Sequence, residues 1–212
     1  VFTTFEGATL VLYQLAAKGL LSRFKHDMSD LNLWGAVKYL AERAETRLTE
    51  LNPVVTRRTD QEHLLDPAFH QAALEYREER LLRSVANRLR SRLADGMDSF
   101  QALNECQDHV VALARAHIER VLLERMQDGV AEAPTPGLSE ALGTVSALYA
   151  LSRIEASMGW YLETGYLEAA KSRAIRNEAN ELCRELRPHA LLLVDAFGVP
   201  EELLPELVAA QA

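Results

Sequence analysis

The stretch that decides the fold is VFTTFEGATLVLYQLAA, residues 1–17. Its single acid, Glu6, is followed by Gly7 and then by apolar residues at helical spacing. From Thr9 to Phe24 such residues recur every three or four positions, which predicts a helix with a broad buried face. The amino end of a helix carries free N–H groups and positive dipole, which favour an anion. Glu6 is therefore predicted to lie at the mouth of a helix.

The Glu6-Gly7 pair has two interpretations. In the first, Glu6 is a solvated loop acid and Gly7 supplies a turn. In the second, Gly7 lets a substrate approach the backbone, while Phe2, Phe5 and Leu10 desolvate the carboxyl and raise its pKa toward neutrality. The dipeptide alone leaves both interpretations open.

Helical periodicity continues along the rest of the chain, and no stretch shows β-type alternation. We therefore predict an all-α fold, a helical bundle of about six or seven helices. Residues 54–65 lack a sustained period and are predicted to form an ordered loop. The further helices are predicted from Asp30 or Asn32 to Leu51, from Asp66-Pro67 to near Gly96, from Asp98 or Ser99 to Asp128 with Gly129 as the stop, from Ser139 to Met158 with Gly159 as the stop, from Glu168 to Leu186, where Pro188 interrupts or restarts the helix before an apolar run to Phe197, and from Glu201 to Val208.

One linker is evident, from Val130 to Gly137 with Pro134 and Pro136. It divides the chain into a first part, residues 1–129, a linker, residues 130–138, and a second part, residues 139–212. We expect the two parts to form one domain, with the linker as a hinge or crossover.

Composition narrows the classes of function. The chain has 212 residues, 48% of them hydrophobic and 25% charged, with a formal net charge of −8. Its acidic balance argues against broad nucleic-acid binding. No apolar run is long enough to span a membrane, and the N-terminal pattern is not that of a signal peptide.

Two cysteines, Cys106 and Cys183, lack the spacing of a disulfide framework and are predicted to be buried thiols. The terminal Ala210-Gln-Ala212 is not a Ser-Lys-Leu peroxisomal address. A bacterial-type cytoplasmic location is therefore expected.

Several charged and aromatic groups have both a structural and a functional interpretation. Six arginines and three glutamates between His70 and Arg92 predict surface ion pairs along the helix, with phosphate binding as the alternative. Likewise, Arg57 and Arg58 are predicted to be solvated rather than to bind the phosphates of coenzyme A. An aromatic corner at residues 160–167 is predicted to be core or a dimer contact.

A metal site is not predicted. Glu105 and His109 lie one helical turn apart, but no third ligand has matching spacing. Hydrogen-bonded histidines in a helix interface explain the same pattern.

Several segments resemble the acyl-CoA oxidases, flavoenzymes related to the acyl-CoA dehydrogenases. The segment Thr4 to Gly7, followed by Val11, Leu12 and Gln14, is similar to that family's TFEGDNTVLLQ segment. The resemblance continues, in the same order as the family's C-terminal helical region, in Cys106 to His109, Ala114 to His117, Gly159 to Leu167 and Leu193 to Leu204.

The resemblance implies a function and a set of site residues. A complete enzyme of this family uses FAD to oxidise an acyl-CoA to the trans-2-enoyl-CoA in fatty-acid β-oxidation. Glu6 would be the base that removes the α-proton, and Gly7, Thr9 and Gln14 would contact the cofactor. Most of the flavin-binding surface would come from a missing region or partner chain, and the enzyme would be a homodimer.

This chain departs from the family pattern directly after the glycine. Ala8-Thr9-Leu10 stands where the family has Asp-Asn-Thr, which removes an acid and an amide able to orient a cofactor or cap a helix. A second hypothesis follows, in which the chain is a non-catalytic helical module for dimerisation or scaffolding. A third, a helical nucleic-acid binder, rests only on the arginines after His70 and is disfavoured by the acidic total.

Overall fold

The computed structural model describes residues 57–199 and, before them, residues 12, 13, 15, 16 and 19. The five earlier residues are all helical. The described residues contain no strand, so the all-α prediction is confirmed. The helices run in the order α1 Gln61–Leu64, α2 Pro67–Ala94, α3 Ser99–Glu105, α4 Gln107–Ala131, α5 Pro136–Ala156, α6 Met158–Glu163, α7 Ala169–Leu186, a 3₁₀ turn Arg187–His189 and α8 Ala190–Asp195.

Side-chain caps start α2 and α3 where the sequence predicts them. The Asp66 carboxylate accepts a hydrogen bond from the N–H of Ala68 at 2.8 Å, ahead of Pro67 in the first position of α2. Asp98 caps α3 by accepting from the N–H of Phe100 at 2.9 Å. Such caps satisfy backbone donors that a helix leaves unpaired.

Two glycines end helices in a left-handed conformation. Gly96 has φ +85° and Gly165 has φ +72°, values that a residue with a Cβ rarely adopts. After Gly165, the N–H of Tyr166 returns to the Tyr161 carbonyl at 3.0 Å, which is the Schellman pattern. The chain therefore turns sharply between α6 and α7.

Some predicted boundaries are wrong. Four residues of the predicted loop form α1, because the Asp60 side chain caps it by accepting from the His63 N–H at 3.1 Å. The helix predicted from residue 98 to 128 is two helices, since the chain bends at the buried Cys106. Neither Gly129 nor Gly159 is a stop: Gly129 lies within α4 and Gly159 within α6, so only residues 132–135 separate α4 from α5.

The first core cluster joins helices from both sides of the turn between α6 and α7. Tyr161, with no exposed surface, donates its hydroxyl to the Ala73 carbonyl at 2.9 Å. Tyr76 stacks on Tyr166 with ring centroids 4.3 Å apart, and Trp160 lies edge-on to Tyr161 at 5.2 Å. The aromatic corner is thus a packed core, as the sequence predicts.

A second core cluster lies between the later half of α2 and helices α3 and α4. Leu81, Val85 and Leu89 of α2 pack there against small and aliphatic residues such as Val110 and Leu113. Tyr13 and Ala16 pack against the same cluster. This contact docks the helical residues of the first segment onto the bundle.

No helix among the described residues is both long and apolar enough to cross a membrane.

Candidate functional site

The predicted catalytic residue Glu6 and the predicted cofactor contacts Gly7, Thr9 and Gln14 lie outside the described residues. The nearest described residues that follow Glu6 are Leu12 and Tyr13, six and seven positions later in the sequence. The described region that bears on Glu6 is therefore the part of the bundle that Tyr13 contacts.

Buried charges join α2, α4 and α5. The Arg77 guanidinium of α2 donates to the Glu119 carboxylate of α4, and both side chains are about nine-tenths buried. Arg115 also donates to Glu119 at 3.0 Å, and Arg153 of α5 lies 3.9 Å from it. A buried charge needs such partners, because leaving water costs an ion several kcal/mol. We call this group, together with the neighbouring Glu78 pairs described next, the carboxylate network.

Glu78 of α2 forms the other half of the carboxylate network. It accepts from the His117 ring at 2.9 Å and from the Arg120 guanidinium, both on α4. Burial opposes ionisation of Glu78, but the bonds from His117 and Arg120 outweigh it and hold its pKa below the usual range. Burial also acts against the charge of Arg120, yet its bond to Glu78 raises its pKa. The Glu78–Arg120 pair therefore stays charged at neutral pH.

Tyr149 connects the carboxylate network to the first segment of the chain. Its hydroxyl donates to the Glu119 backbone carbonyl at 3.2 Å, and Arg153 lies 5.8 Å from its ring centroid. Burial raises the pKa of Tyr149, and Glu119 and Tyr13 add to this electrostatically. Tyr13 is thus close enough to Tyr149 to affect its ionisation.

The network is built for positioning. Glu119 and Glu78 each accept from at least two cationic or imidazole groups. These ion pairs fix α2, α4 and α5 relative to one another.

A second polar group, which we call the lysine cluster, lies between α1 and α7. Lys171 has no exposed surface, and its Nζ lies 2.8 Å from His63 Nε2 and 4.0 Å from the Phe69 ring centroid. Burial, and then the charge of Arg58, lower the pKa of Lys171 to about 8. Burial and the nearby Lys171 also lower the pKa of His63. At neutral pH the lysine is therefore the donor and the imidazole the acceptor.

Further bonds fasten the chain before α2 onto α7. Gln61 donates to Glu178 at 2.9 Å, and Arg57 pairs with Glu168 at 2.7 Å. With the lysine cluster these make three links from residues 57–63 to α7 and to Glu168, its N-cap residue. The lysine cluster is an anchor, and its enclosed amine is not accessible to a substrate.

The structure also places the other charged candidates from the sequence. Arg57 and Arg58 form exposed ion pairs, in agreement with the solvated interpretation. The predicted pairing along α2 is incomplete, because Arg77 and Glu78 pair across to α4. Arg77 and Glu78 pair with α4 because their side chains face that helix rather than water.

The residues weighed as metal ligands have other partners in the structure. Glu105 pairs with Arg92 at 2.9 Å, and His109 lies 3.5 Å from Asp108. Within residues 57–199 no three histidine, cysteine or acidic side chains group as metal ligands. Cys106 is buried as predicted, but the prediction for Cys183 is wrong, since it falls outside the buried stripe of α7 and is exposed.

Sequence reasoning missed Glu119, Lys171 and His63. Lys171 precedes Ile175 by four residues and therefore lies on the buried stripe of α7, and Glu119 precedes Leu123 on α4 in the same way. A charged residue in register with an apolar stripe was the available signal. The sequence carried no such signal for His63, because its short helix was predicted to be a loop.

These features define a class of protein. The described chain is a helical domain with long antiparallel helices, two apolar cores and buried ionic links between helices. It also has a preceding helical segment docked on its surface through Tyr13 and Ala16.

Comparison with known proteins places this domain in a family. The acyl-CoA oxidase family model matches residues 66–205, and the chain belongs to that family. It is 37% identical over 212 residues to acyl-coenzyme A oxidase 2, peroxisomal, of Arabidopsis thaliana, covering all of this chain and 30% of the relative. It is 32% identical to a mouse acyl-coenzyme A oxidase-like protein over 94% of this chain and 31% of the relative.

Solved structures show the same fold. Acyl-CoA oxidase1 from Yarrowia lipolytica superimposes with a TM-score of 0.73 at 23% identity, covering 93% of this chain and 28% of that chain. The chain thus spans about 30% of the length of the relatives it matches. The predicted cytoplasmic location is wrong: several relatives, including the Arabidopsis protein and a human one, are named peroxisomal.

Proposed function

We propose that this chain is the C-terminal helical part of a FAD-dependent acyl-CoA oxidase that oxidises an acyl-CoA to the trans-2-enoyl-CoA in fatty-acid β-oxidation. The observation that carries the proposal is the family match over residues 66–205. The 37% identity to the Arabidopsis relative supports it, because that alignment covers the whole chain, including the TFEG segment. A peroxisomal location is part of the same proposal.

Glu6 is proposed as the base. The α-proton of a thioester is weakly acidic, so its removal requires a carboxylate shielded from water and positioned against that carbon. Among the described acids, Glu78 and Glu119 are held in ion pairs, which argues against either of them as this base. Tyr13, seven residues after Glu6, rests on the bundle and so sets where the segment leaves it.

Two cavities among the described helices have volumes of about 330 and 280 Å³, at or below the lower end of roughly 300–1,000 Å³ for small-molecule sites, and a dinucleotide is larger than either. We propose that Gly7, Thr9 and Gln14 contact the cofactor and that another region or partner chain supplies the rest. When bound, FAD accepts the second hydrogen of the oxidation with its electron pair.

The test is Glu6→Gln in the complete protein, assayed for oxidation of an acyl-CoA. We expect turnover to fall by about 10²–10⁴-fold, which is what general-base catalysis contributes. The matched control is Glu132→Gln, an exposed acid after α4 whose removal should leave turnover unchanged. Normal turnover by Glu6→Gln would refute the assignment of Glu6 as the base.

A second candidate function is a helical module for dimerisation or scaffolding. A specific observation favours it: α8 and the residues after it expose Leu191, Val194 and Phe197, each by more than 60%. Apolar surface of this kind commonly marks an interface. We propose that a second copy of the protein covers it.

Sedimentation of the complete protein tests this second candidate. Leu191→Asp with Phe197→Asp should shift a dimer toward monomer, while Leu122→Asp, at a 48% exposed position on α4, should not. A protein that is monomeric without any substitution would contradict it. Loss of association with unchanged turnover would separate the two functions.

A further inference from the structure

The central contact of the lysine cluster tolerates only one positive charge. Lys171 has no exposed surface and His63 only 7%, and the Lys171 Nζ lies 2.8 Å from His63 Nε2. An ammonium group has three donors and no acceptor, so this hydrogen bond requires the lone pair of Nε2. A proton on Nε2 would place two donors and two positive charges in contact. Acid therefore acts directly on the bond that joins α1 to α7.

The carboxylates around this pair are engaged elsewhere. Asp60 accepts from Arg58 at 2.7 and 3.0 Å and caps α1, and Glu178 of α7 accepts from Gln61 at 2.9 Å. The other charged or titratable groups near the pair, within the described part of the chain, are Glu62, Asp66, His70, Arg57 and Glu168. Burial and then the charges of Lys171 and Arg58 lower the pKa of His63, although Asp60 and Asp66 act in the opposite direction. The surroundings therefore oppose a second charge.

His70, the other buried histidine at this junction, has a contact that acid does not break. Its Nε2 lies 2.7 Å from the Leu64 carbonyl. Because a carbonyl only accepts, Nε2 of His70 already carries a proton. A further proton would enter at Nδ1 and leave the bond to Leu64 in place. The acid-sensitive contact is therefore the one between His63 and Lys171.

The other links from this segment to α7 are weaker. Helix α1 has only four residues, and a helix this short is not stable without packing. Gln61 contributes one hydrogen bond, and the ion pair of Arg57 with Glu168 is exposed, where water and salt screen it. Leu64 lies in the first core cluster, so its packing does not depend on charge. Loss of the His63 contact would thus loosen residues 57–63 and leave Leu64 in the core.

We propose that the lysine cluster is an acid-sensitive latch, which holds residues 57–63 on α7 at neutral pH and releases them when His63 gains a proton. The pKa of His63 in the closed latch lies below its ordinary value of 6.5. Below pH 6.5 the released segment therefore binds more protons than the closed one, and acid favours release. The latch is a property of the fold and does not depend on the proposed oxidase activity.

The experiment is hydrogen exchange of the complete protein between pH 5 and pH 7.5, measured by mass spectrometry and corrected for the intrinsic exchange rate. Protection of the amides of residues 61–65 should fall by about 3- to 25-fold from pH 7 to pH 5. The upper limit is set by a histidine pKa of 6.5 in the released segment. Protection of α4 should be unchanged, because the latch does not hold that helix.

Two variants assign the response to this pair. In His63→Gln an uncharged amide oxygen can accept from Lys171 at every pH, so the acid-dependent loss of protection should disappear. In Lys171→Gln the amide can donate to a neutral imidazole or accept from a charged one, so the loss should be smaller than in the wild-type protein. The matched control is His189→Gln, an exposed histidine of the 3₁₀ turn, which should keep the wild-type response.

Three results would overturn the proposal: no loss of protection at residues 61–65 in acid, an equal loss in His63→Gln, or a loss of the same size in α4. The second result would assign the response to another group, such as His70, and the third would indicate general unfolding. Circular dichroism at pH 7.5 checks that each variant is folded. If His63→Gln is unfolded, Lys171→Gln decides the outcome, and a full wild-type response in that variant refutes the latch.

Discussion

The carboxylate network and the lysine cluster both bury a basic side chain, but they hold it differently. Arg77 lies against the Glu119 carboxylate, with Arg115 and Arg153 nearby. The contacts of Lys171 include the His63 imidazole and the Phe69 ring face. Burial and the charge of Arg58 lower the pKa of Lys171, whereas ion pairing holds the pKa of Glu78 low and that of Arg120 high.

This difference predicts opposite responses to pH. The pKa of Glu78 lies below its ordinary value, so its contribution to stability is present at neutral pH and is lost as pH falls through the folded pKa. The pKa of Lys171 is about 8 instead of 10.5. Between those two values the unfolded chain binds more protons, and stability should therefore rise with pH.

The largest effect is expected from Glu119→Leu, which leaves Arg77 buried without its carboxylate. Breaking a buried ion pair costs about 3–5 kcal/mol. Hydrogen exchange of α4 amides measures the loss, with the exposed Glu163→Gln as the control. The double variant Arg77→Met with Glu119→Leu should be more stable than Glu119→Leu alone, and a double variant that is less stable would contradict the network.

A smaller effect is expected from Lys171→Met, and it depends on pH. The wild-type protein should gain up to about 3 kcal/mol between pH 8 and 10.5, because an unfavourable buried charge is lost. The variant should lack that gain. Hydrogen exchange of α7 amides across this pH range gives the comparison, and parallel curves for the two proteins would show that Lys171 keeps its charge.

Tyr149→Phe should cost about 1 kcal/mol by removing the hydroxyl that donates to the Glu119 carbonyl. Because Tyr13 interacts with Tyr149, exchange near Tyr13 should increase as well. The comparison variant is Tyr166→Phe, which should leave exchange near Tyr13 unchanged. An equal increase in both variants would show that Tyr149 has no specific effect on the first segment.

The smallest effect is expected for Arg57→Ala. Its ion pair with Glu168 is exposed, and exposed pairs contribute little because water and salt screen them. Exchange in α7 should be unchanged within error. A clear loss of protection would show that this surface link matters as much as the buried lysine cluster.

Much of the fold was predictable because periodic apolar residues and strong caps determine it. Asp66-Pro67 marks the start of α2, and Gly165 with its aromatic neighbours marks the turn before α7. The bend at Cys106 was not predictable, since the apolar pattern continues across it and tertiary packing decides the break.

Glu6 stays a prediction from the TFEG motif, because it lies outside the described residues. The carboxylate network depends on which helices meet. Nothing local pairs Glu78 with Arg120, which is 42 residues away. Long-range ion pairs are set by packing, and the sequence shows only that the charges are present.

The most direct test of the proposed function is the visible absorption spectrum of the complete protein, recorded without oxygen before and after an acyl-CoA is added. The substitution of Ala8-Thr9-Leu10 for the family's Asp-Asn-Thr makes the outcome informative. The account predicts a bound flavin whose band bleaches on addition of the acyl-CoA. A protein that holds no flavin after incubation with FAD, or whose flavin band does not change, would contradict it.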